Sequence, residues 1–502
     1  MDHGNGFGLS SATALQRNNT AEEIVDRAWL VLRPRCLELV NSFLTQSLTP
    51  KTFFAFEMML LGLVRELGRL LLELTVNSLE PEQSSSIPRD LWYQCSGYRR
   101  RKNKTRNANV GTLLGTVTLW RRGYRSWERA ESSIFPLEMM LGLIQGVTPG
   151  LADWLGQEIA KAGASQSRVL KSLREERGVS MGVKRLRAIT QQISQAMAEF
   201  REDNQVDALL TALQKARESR GPRKPVLAVG RDGITLRECH HGCFQVATAA
   251  TVSVYDRAGK RLTTVYLAWR AELGQATMSR MLTDLLAELL NRWSGPLPQL
   301  AYISDSGEHE SAYYQNTLRR MVHPRTGKRL SWQRVVDYYH VAERIWAMAT
   351  ALFGKETRES HGWAVRMLKA LKKPSGPSRV LHSAASHFHR RELKSASAKE
   401  FWKAYRYLQQ RTSFLRYHDY ASRHIPLGSG VTEAACKTIF TQRMKLSGMR
   451  WSDEGAGAIL NLRVILLSHT WSKTFSAYLD DLYPAQMRPY APHADKQARI
   501  AA

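Results

Sequence analysis

Cysteine is scarce. Five residues in 502 (Cys36, Cys95, Cys239, Cys243 and Cys436) do not make a disulfide framework, so a reducing compartment is expected. Cys95 has no second cysteine close by, which argues against a zinc ribbon there. A charged-then-apolar leader is also missing from the polar, Gly/Asn/Ser-rich N-terminus, and a cytoplasmic protein is expected. No long uninterrupted apolar run occurs either. The most apolar stretch, Phe53–Val76, carries Glu57, Arg65, Glu66, Arg69 and Glu73. At about 100° per residue the last four fall on one side, which predicts an amphipathic core helix and no membrane span. Acid is short as well: 45 Asp+Glu stand against 72 Lys+Arg, a net charge of +27. Such a surface calls for a polyanion, most commonly nucleic acid, with a ribosomal or membrane-surface protein as the blander class. The hydrophobic fraction of 43% is that of a soluble globular protein, and the length suits two to four domains.

What is there divides the chain. Residues 1–21 read as a disordered tail. Residues 22–88 are a helical region with a break across Asn41–Thr52 and a loop at Ser78–Pro88. Residues 89–135 carry the basic run Tyr98–Arg106, with Arg99, Arg100, Arg101 and Lys102, and then the alternating segment Thr112–Trp120. Gly115 marks a hairpin turn or bulge. A basic β-hairpin with Trp120, Tyr124 and Trp127 nearby suits nucleic-acid backbone contacts, although a solvated charge run beside an ordinary hairpin has the same composition. Residues 136–200 read as three helices, Glu138–Gly163, Ser165–Arg177 and Met181–Phe200, with Gly178 as a sharp stop. A short helix, a glycine turn and a second helix bearing Lys184, Arg185 and Arg187 form a helix-turn-helix pattern for DNA, one that any packed helix pair also satisfies. Residues 201–224, closing on Gly221-Pro-Arg-Lys224, read as a linker.

The region 225–480 is expected to be one catalytic domain. Val226–Gly233 is an apolar strand carrying Asp232. Phe244–Tyr255 and Arg261–Trp269 alternate as strands around the turn Asp256–Gly259. Cys239-His-His-Gly-Cys243 crowds four candidate ligands into five residues, matches no tetrahedral zinc spacing, and reads as the turn between two strands. A helix over Met278–Trp293 precedes the strand Leu300–Ser304, which stops at Asp305 and Gly307. Three meandering strands, a helix and a fourth strand ending in an acid is the order of a ribonuclease-H-like mixed sheet. The chain then turns helical (Glu310–Met321, Val335–Phe353, Gly362–Leu371, Ala398–Arg411), and Glu433 lies 128 positions (433 − 305) after Asp305. A gap that long without strands implies an all-helical insertion, about 341–425. Val431–Leu446 and Glu454–Ser468 close the domain, and 483–502 is a tail. The fold class expected is α/β: a ribonuclease-H-like core with a helical insertion, behind a helical and helix-turn-helix N-terminal region.

Phosphodiester cleavage needs a nucleophilic oxygen, neutralised phosphate charge and a stabilised leaving oxygen. Two divalent cations about 3.5–4 Å apart supply all three, and Mg²⁺ or Mn²⁺ prefers carboxylate oxygen. Asp232 and Asp305 on neighbouring strands, with Glu433 from a helix over them, are the candidate catalytic and metal-binding set. A lone strand-end aspartate is as readily a turn former or cap. Asp419, Asp453 and Glu454 compete with Glu433, which is favoured by a helix also bearing Lys437, Arg443 and Lys445 for phosphate.

Further motifs bear a family likeness. Val336-Asp-Tyr-Tyr-His-Val-Ala-Glu-Arg-Ile-Trp346, Gly428-Ser-Gly-Val-Thr-Glu-Ala-Ala-Cys-Lys437 and Gln442-Arg-Met-Lys-Leu-Ser-Gly-Met-Arg-Trp451 resemble the DDE transposases of bacterial insertion sequences. The group resembled is the Kra-type elements, related to Mutator-like transposases, over about Val226–Ser468. That broader group carries a Cys or Asp, two residues, then His between its second and third acids, which Asp337 and His340 match. The resemblance implies the triad Asp232, Asp305 and Glu433, metal-dependent cleavage of double-stranded DNA at inverted-repeat element ends, and strand transfer into target DNA by a 3′-hydroxyl. It further implies a bacterial, nucleoid-associated homo-oligomer, a dimer by default. Two departures stand out: relatives often have paired cysteines where this chain has only Cys95, and Cys239–Cys243 follows the first acid. At i and i+3 of a helix, Asp337 and His340 would support the acids from behind. Trp402 is a candidate for stacking on a flipped base, with ordinary packing the blander role. The rival functions are a nuclease or resolvase that cuts without joining, and a non-catalytic DNA-binding protein derived from a transposase.

Overall fold

The structure, a computed structural model, describes residues 20–80, 98–126, 133–237, 244–446 and 449–487. The N-terminal tail up to residue 19, Cys95, Trp127, Cys239–Cys243, the tail from 488, and the side chains of Arg99, Arg100, Arg101 and Lys102 lie outside the described residues. The chain forms two compact units, one of residues 1–159, 165–193 and 475–502, the other of 160–164 and 194–474.

The first unit opens with two long helices, α1 (Ala21–Thr45) and α2 (Pro50–Ser78). Thr20 and Glu23 form a capping box at the start of α1; Thr49 caps α2, with Pro50 at its first position. Behind them runs a hairpin, β1 (Tyr98–Thr112) and β2 (Gly115–Ser126), so the basic run is itself a strand. Its turn is Leu113–Leu114, and Gly115 supplies the φ of +127° that follows. The C-terminal half of α2 closes the free edge of β2. Thr118 N donates to Glu73 Oε2 (3.1 Å), Trp120 N to Asn77 Oδ1 (2.7 Å) and Arg122 N to Glu80 Oε1 (3.1 Å). Arg69 pairs with Glu66 and Glu73 at 2.8 and 2.9 Å, so three of the charges expected on one side of α2 do meet there. The expectation that α2 is a core helix fails for its first half: Leu63 and Leu70 are buried, whereas Phe54, Met58 and Leu61 are exposed.

Helices α3 (Pro136–Met140) and α4 (Pro149–Ala160) replace the single helix expected over Glu138–Gly163. Then α5 (Gln166–Arg177) stops at Gly178, in the left-handed conformation at φ +64°. Next, α6 runs unbroken for 36 residues, Val183–Glu218, through what composition suggested was a linker. The reason is apolar periodicity hidden among charges: Val206, Leu209, Leu213 and Ala216 are buried.

The second unit is built on one mixed sheet of β3 (Val226–Arg237), β4 (Phe244–Tyr255), β5 (Arg261–Trp269), β6 (Gln299–Ser304) and β7 (Trp332–Val336), in the spatial order β5-β4-β3-β6-β7. The first three pair antiparallel; β6 adds to β3, and β7 to β6, in parallel. Strand β7 was not expected. Its five residues run straight into a helix, and the two apolar patterns fuse in sequence. Alternation along β3 sends Leu227 and Val229 to one face, where α6 and α7 (Ala276–Arg292) pack, and Val226 and Ala228 to the other. On that other face lie α9 (Tyr338–Phe353), α10 (Arg358–Leu371), α11 (Gly376–His389), α12 (Ser395–Arg411) and α13 (Tyr417–Ser422), the expected insertion; α8 (Glu308–Asn316) follows β6. The chain closes with α14 (Gly430–Cys436), a π-turn over Lys437–Thr441, α15 (Gln442–Met444), α16 (Asp453–Leu467) and α17 (Trp471–Met487). The fold is α/β, with helices on both faces of the sheet. Among the described residues, no helix is long and apolar enough to cross a membrane.

Candidate functional site

The parallel register of β3 on β6 runs from Val226 opposite Gln299 to Gly230 opposite Ile303. Continued two residues, the same register sets Asp232 level with Asp305. Asp232 is not at the end of its strand, as the sequence suggested. It sits mid-strand, paired with Ala249 of β4, but just past the point where β6 stops covering β3. Alternation turns it to the face opposite Arg231, a buried guanidinium held by Gln275 Oε1 (2.6 Å) and Ser279 Oγ (2.8 Å).

Asp305 opens a tight loop that the insertion holds from above. Tyr407 Oη of α12 donates to Asp305 O (2.7 Å), and Arg411 Nη2 to Ser306 O (3.3 Å). Arg334 Nη2 of β7 reaches Ser306 Oγ (3.2 Å) and Ser311 Oγ (2.6 Å). Ser306 is thereby kept at φ +65°, a conformation a non-glycine residue holds only when its surroundings impose it. The Asp305 carboxylate accepts from Gly307 N at 2.8 Å.

Glu433 stands in the first turn of α14, which lies against β3 and β4. Thr432 Oγ1 and Thr251 Oγ1 are 2.7 Å apart, and a Cβ on Gly230 would overlap Thr432 Oγ1. The absence of a side chain at Gly230 therefore sets how closely Glu433 approaches the sheet. Gly230→Ala is expected to lower any activity of this site at least tenfold while costing roughly 1–3 kcal/mol of stability by overpacking. Urea unfolding beside an activity assay checks it, and full activity at unchanged stability would show that the close approach is not needed.

The acids act on one another. Burial pushes the Asp232 carboxyl up; Asp305 and Glu433 add their negative charges, against hydrogen bonds from the Gly233 amide and the Cys436 thiol. A fourth carboxylate, Glu310 of α8, belongs to the group. It is buried, and burial raises its pKa, with Asp305 and Asp232 pushing the same way. A Cβ on Gly307 would meet both Glu310 Oε2 and Asp305 Oδ1. Burial, with Asp232 alongside, also drives the Cys436 thiol up, which keeps it protonated. Sequence reading missed Glu310 and Cys436. Glu310 is five residues past the strand, with no spacing rule to mark it, and Cys436 is i+3 from Glu433, a helical signal that was there to be used.

Asp337, fully buried, caps α9. Its Oδ1 accepts from Tyr339 N (2.6 Å) and His340 N (3.0 Å), and its Oδ2 from the Ser429 amide and from Ser429 Oγ (2.6 Å). Against the burial that would raise it, His340, Ser429 and these amides hold the carboxyl well below the usual range. His340 Nδ1 lies 3.5 Å from Asp337 Oδ1 and 3.8 Å from Glu433 Oε1, ion-pair rather than short hydrogen-bond distances. Asp337 raises the imidazole to about 9 against some burial, so it is charged at neutral pH. Ser429 Oγ is also 2.7 Å from Glu433 Oε1 and, with one proton, donates to Asp337 or Glu433 but not both at once. Ligand atoms of Asp337, His340 and Glu433 all lie within 4.8 Å of one another. The structure thus brings together all five acid and histidine candidates.

The basic candidates divide. Lys184, Lys437 and Lys445 are exposed. Arg185 holds a turn, donating to Gln145 O (2.8 Å) and Gly146 O (2.6 Å), and Arg187 reaches Gln166 Oε1 at 3.0 Å. Arg443 is a correction: it is buried against the Trp451 ring, and burial lowers its pKa to about 10. The π-turn adds a residue to the helical repeat, which rotates Arg443 inward while Lys437 and Lys445 stay out. Trp402 packs among Phe388, Phe401 and Tyr405 in the insertion. Tyr339, expected in the core, is exposed.

No family model matches the chain, and no curated protein matches it.

Proposed function

We propose that the protein is a metal-dependent DNA transposase with a ribonuclease-H-like catalytic core, as its resemblance to DDE transposases implies. The observation that carries this reading is the level placement of Asp232 and Asp305 on neighbouring parallel strands, with Glu433 brought over Gly230 by α14. The strand order supports the ribonuclease-H-like part: an antiparallel meander of three, extended in parallel from its first strand by two more.

The donor chemistry fits Mg²⁺ or Mn²⁺. Asp232, Asp305 and Glu433 offer only hard oxygens, with Glu310 adjoining, and among the described residues no Lys or Arg forms an ion pair with any of the three. Mutual repulsion at Asp232 is the condition a cation relieves. One or two such ions, held by the three carboxylates, would supply phosphate charge neutralisation and an activated oxygen for cleavage and joining. The chain's own residues do the positioning. His340 and Ser429 orient Glu433, Tyr407 and Arg411 fix the backbone at Asp305, and Cys436 and Gly233 hold the Asp232 carboxylate. Exposed Lys437 and Lys445, on the segment that follows Glu433, are placed for DNA phosphate.

The test is strand cleavage and joining on labelled duplexes carrying the DNA that flanks the gene, in Mg²⁺ or Mn²⁺, with Asp305→Asn at matched DNA affinity. Wild type should cut and join while Asp305→Asn only binds. Cutting without joining would make the protein a nuclease, and equal cutting by both would remove Asp305 from the site. Duplex binding should weaken by roughly 10³-fold or more between 50 and 200 mM salt, the loss that six or more released phosphate counterions produce. Salt-insensitive affinity in a filter-binding titration would undermine the nucleic-acid reading itself.

A further inference from the structure

The α1–α2 hairpin has a second apolar face with nothing on it. Its inner face is ordinary: Ala28 and Leu32 of α1 pack on Leu63 and Leu70 of α2. At 100° per residue, a different stripe of α1 holds Trp29, Leu37, Val40 and Leu44, and a different stripe of α2 holds Phe54, Met58 and Leu61; all seven are exposed. Among the described residues, fifteen of the twenty-seven exposed large apolar side chains fall between Val25 and Val64. A helix with one apolar face is served by a two-helix hairpin. A helix with two belongs in a larger bundle.

We infer that this arm pairs antiparallel with the same arm of a second copy, making a four-helix bundle. Area favours so extensive a partner. Fifteen roughly half-exposed side chains present on the order of 1,000 Å² of apolar surface, more than the roughly 300–600 Å² patch of a typical monomer and enough for the ~800 Å² per partner of a standard interface. Charge favours a second copy in particular. Along the free stripe of α1, Asp26 and Arg33 lie on either side of Trp29 and Leu30, all four exposed. In an antiparallel pair with its two-fold axis between Trp29 and Leu30, Asp26 of each copy faces Arg33 of the other, and Trp29 meets Leu30. The apolar centre and the charged flanks are both self-complementary. This inference does not depend on the proposed DNA chemistry.

Sedimentation equilibrium of the full chain tests it. Wild type should be a dimer at about 1–10 μM, and a monomer throughout that range would overturn the inference. Phe54→Glu with Leu61→Glu, both surface changes, should weaken association at least about a hundredfold, with helical circular dichroism unchanged. A dimer unaffected by that pair would place the interface elsewhere. Asp26→Arg should weaken association about tenfold, and adding Arg33→Asp in the same chain should restore it, an effect that damage to folding cannot imitate. Failure of the second charge reversal to rescue the first would overturn the antiparallel register. Leu30→Cys should give a covalent dimer on mild oxidation that wild type does not give; its absence would count against the axis at Trp29–Leu30.

Discussion

Asp232→Asn should remove strand cleavage and joining by more than about a thousandfold while making the metal-free protein more stable. The two effects have one cause. Asp232 is buried, and its charge is opposed by desolvation, by Asp305 and by Glu433. Asparagine keeps the shape and an oxygen for the Gly233 amide, which lies 2.8 Å from Asp232 Oδ1, but carries no charge. Relief of roughly 1 kcal/mol corresponds to a rise of about 2–4 °C in melting temperature for a domain of this size. Thermal unfolding in EDTA, set beside the cleavage assay, reads both. If the variant melts lower and is inactive, the native charge is stabilising, and repulsion among these acids is not the organising feature of the site.

Asp337→Ala should be the most destabilising single change near the site, on the order of 3–5 kcal/mol. Removing that carboxylate strands the amides of Tyr339, His340 and Ser429, the Ser429 hydroxyl and the charged His340 imidazole at a position with no solvent access. It also deletes the cap of α9, worth about 1 kcal/mol by itself. Asp337→Asn retains an acceptor and should cost markedly less. Urea denaturation of the two variants separates them, and an alanine variant within about 1 kcal/mol of wild type would mean that His340 and Ser429 find other partners. This result bears on function because Ser429 and His340 are the groups that touch Glu433.

Much of the site could be read from the chain alone because strands bounded by turn chemistry are locally encoded. Phe244–Tyr255 and Arg261–Trp269 announce themselves by alternation around Asp256–Gly259, and Asp305 by the abrupt end of an apolar run. What could not be read depends on partners distant in sequence. The level placement of Asp232 follows from β3 running on past the end of β6, which no local pattern records. Glu310 joins the acids only because α8 turns back beside Asp305, and Arg443 goes inward only because a π-turn precedes it. Strand β7 vanished into the helix after it, since Trp332–Val336 is too short to show a period of its own. The apolar first half of α2 was legible as apolar, but what it packs on was not. Hydrophobic periodicity reports that a face is to be covered, and says nothing of whether the same chain covers it.

The central claim is that Asp232, Asp305 and Glu433 form one divalent-cation site, and the most direct test is Mn²⁺ binding to the full-length protein followed by electron paramagnetic resonance. Binding should weaken at least about tenfold in each of Asp232→Asn, Asp305→Asn and Glu433→Gln. It should be unchanged in Asp419→Asn, an acid outside the group. Equal Mn²⁺ affinity in wild type and all three site variants would contradict the account, leaving the acids as neighbours without a common ligand.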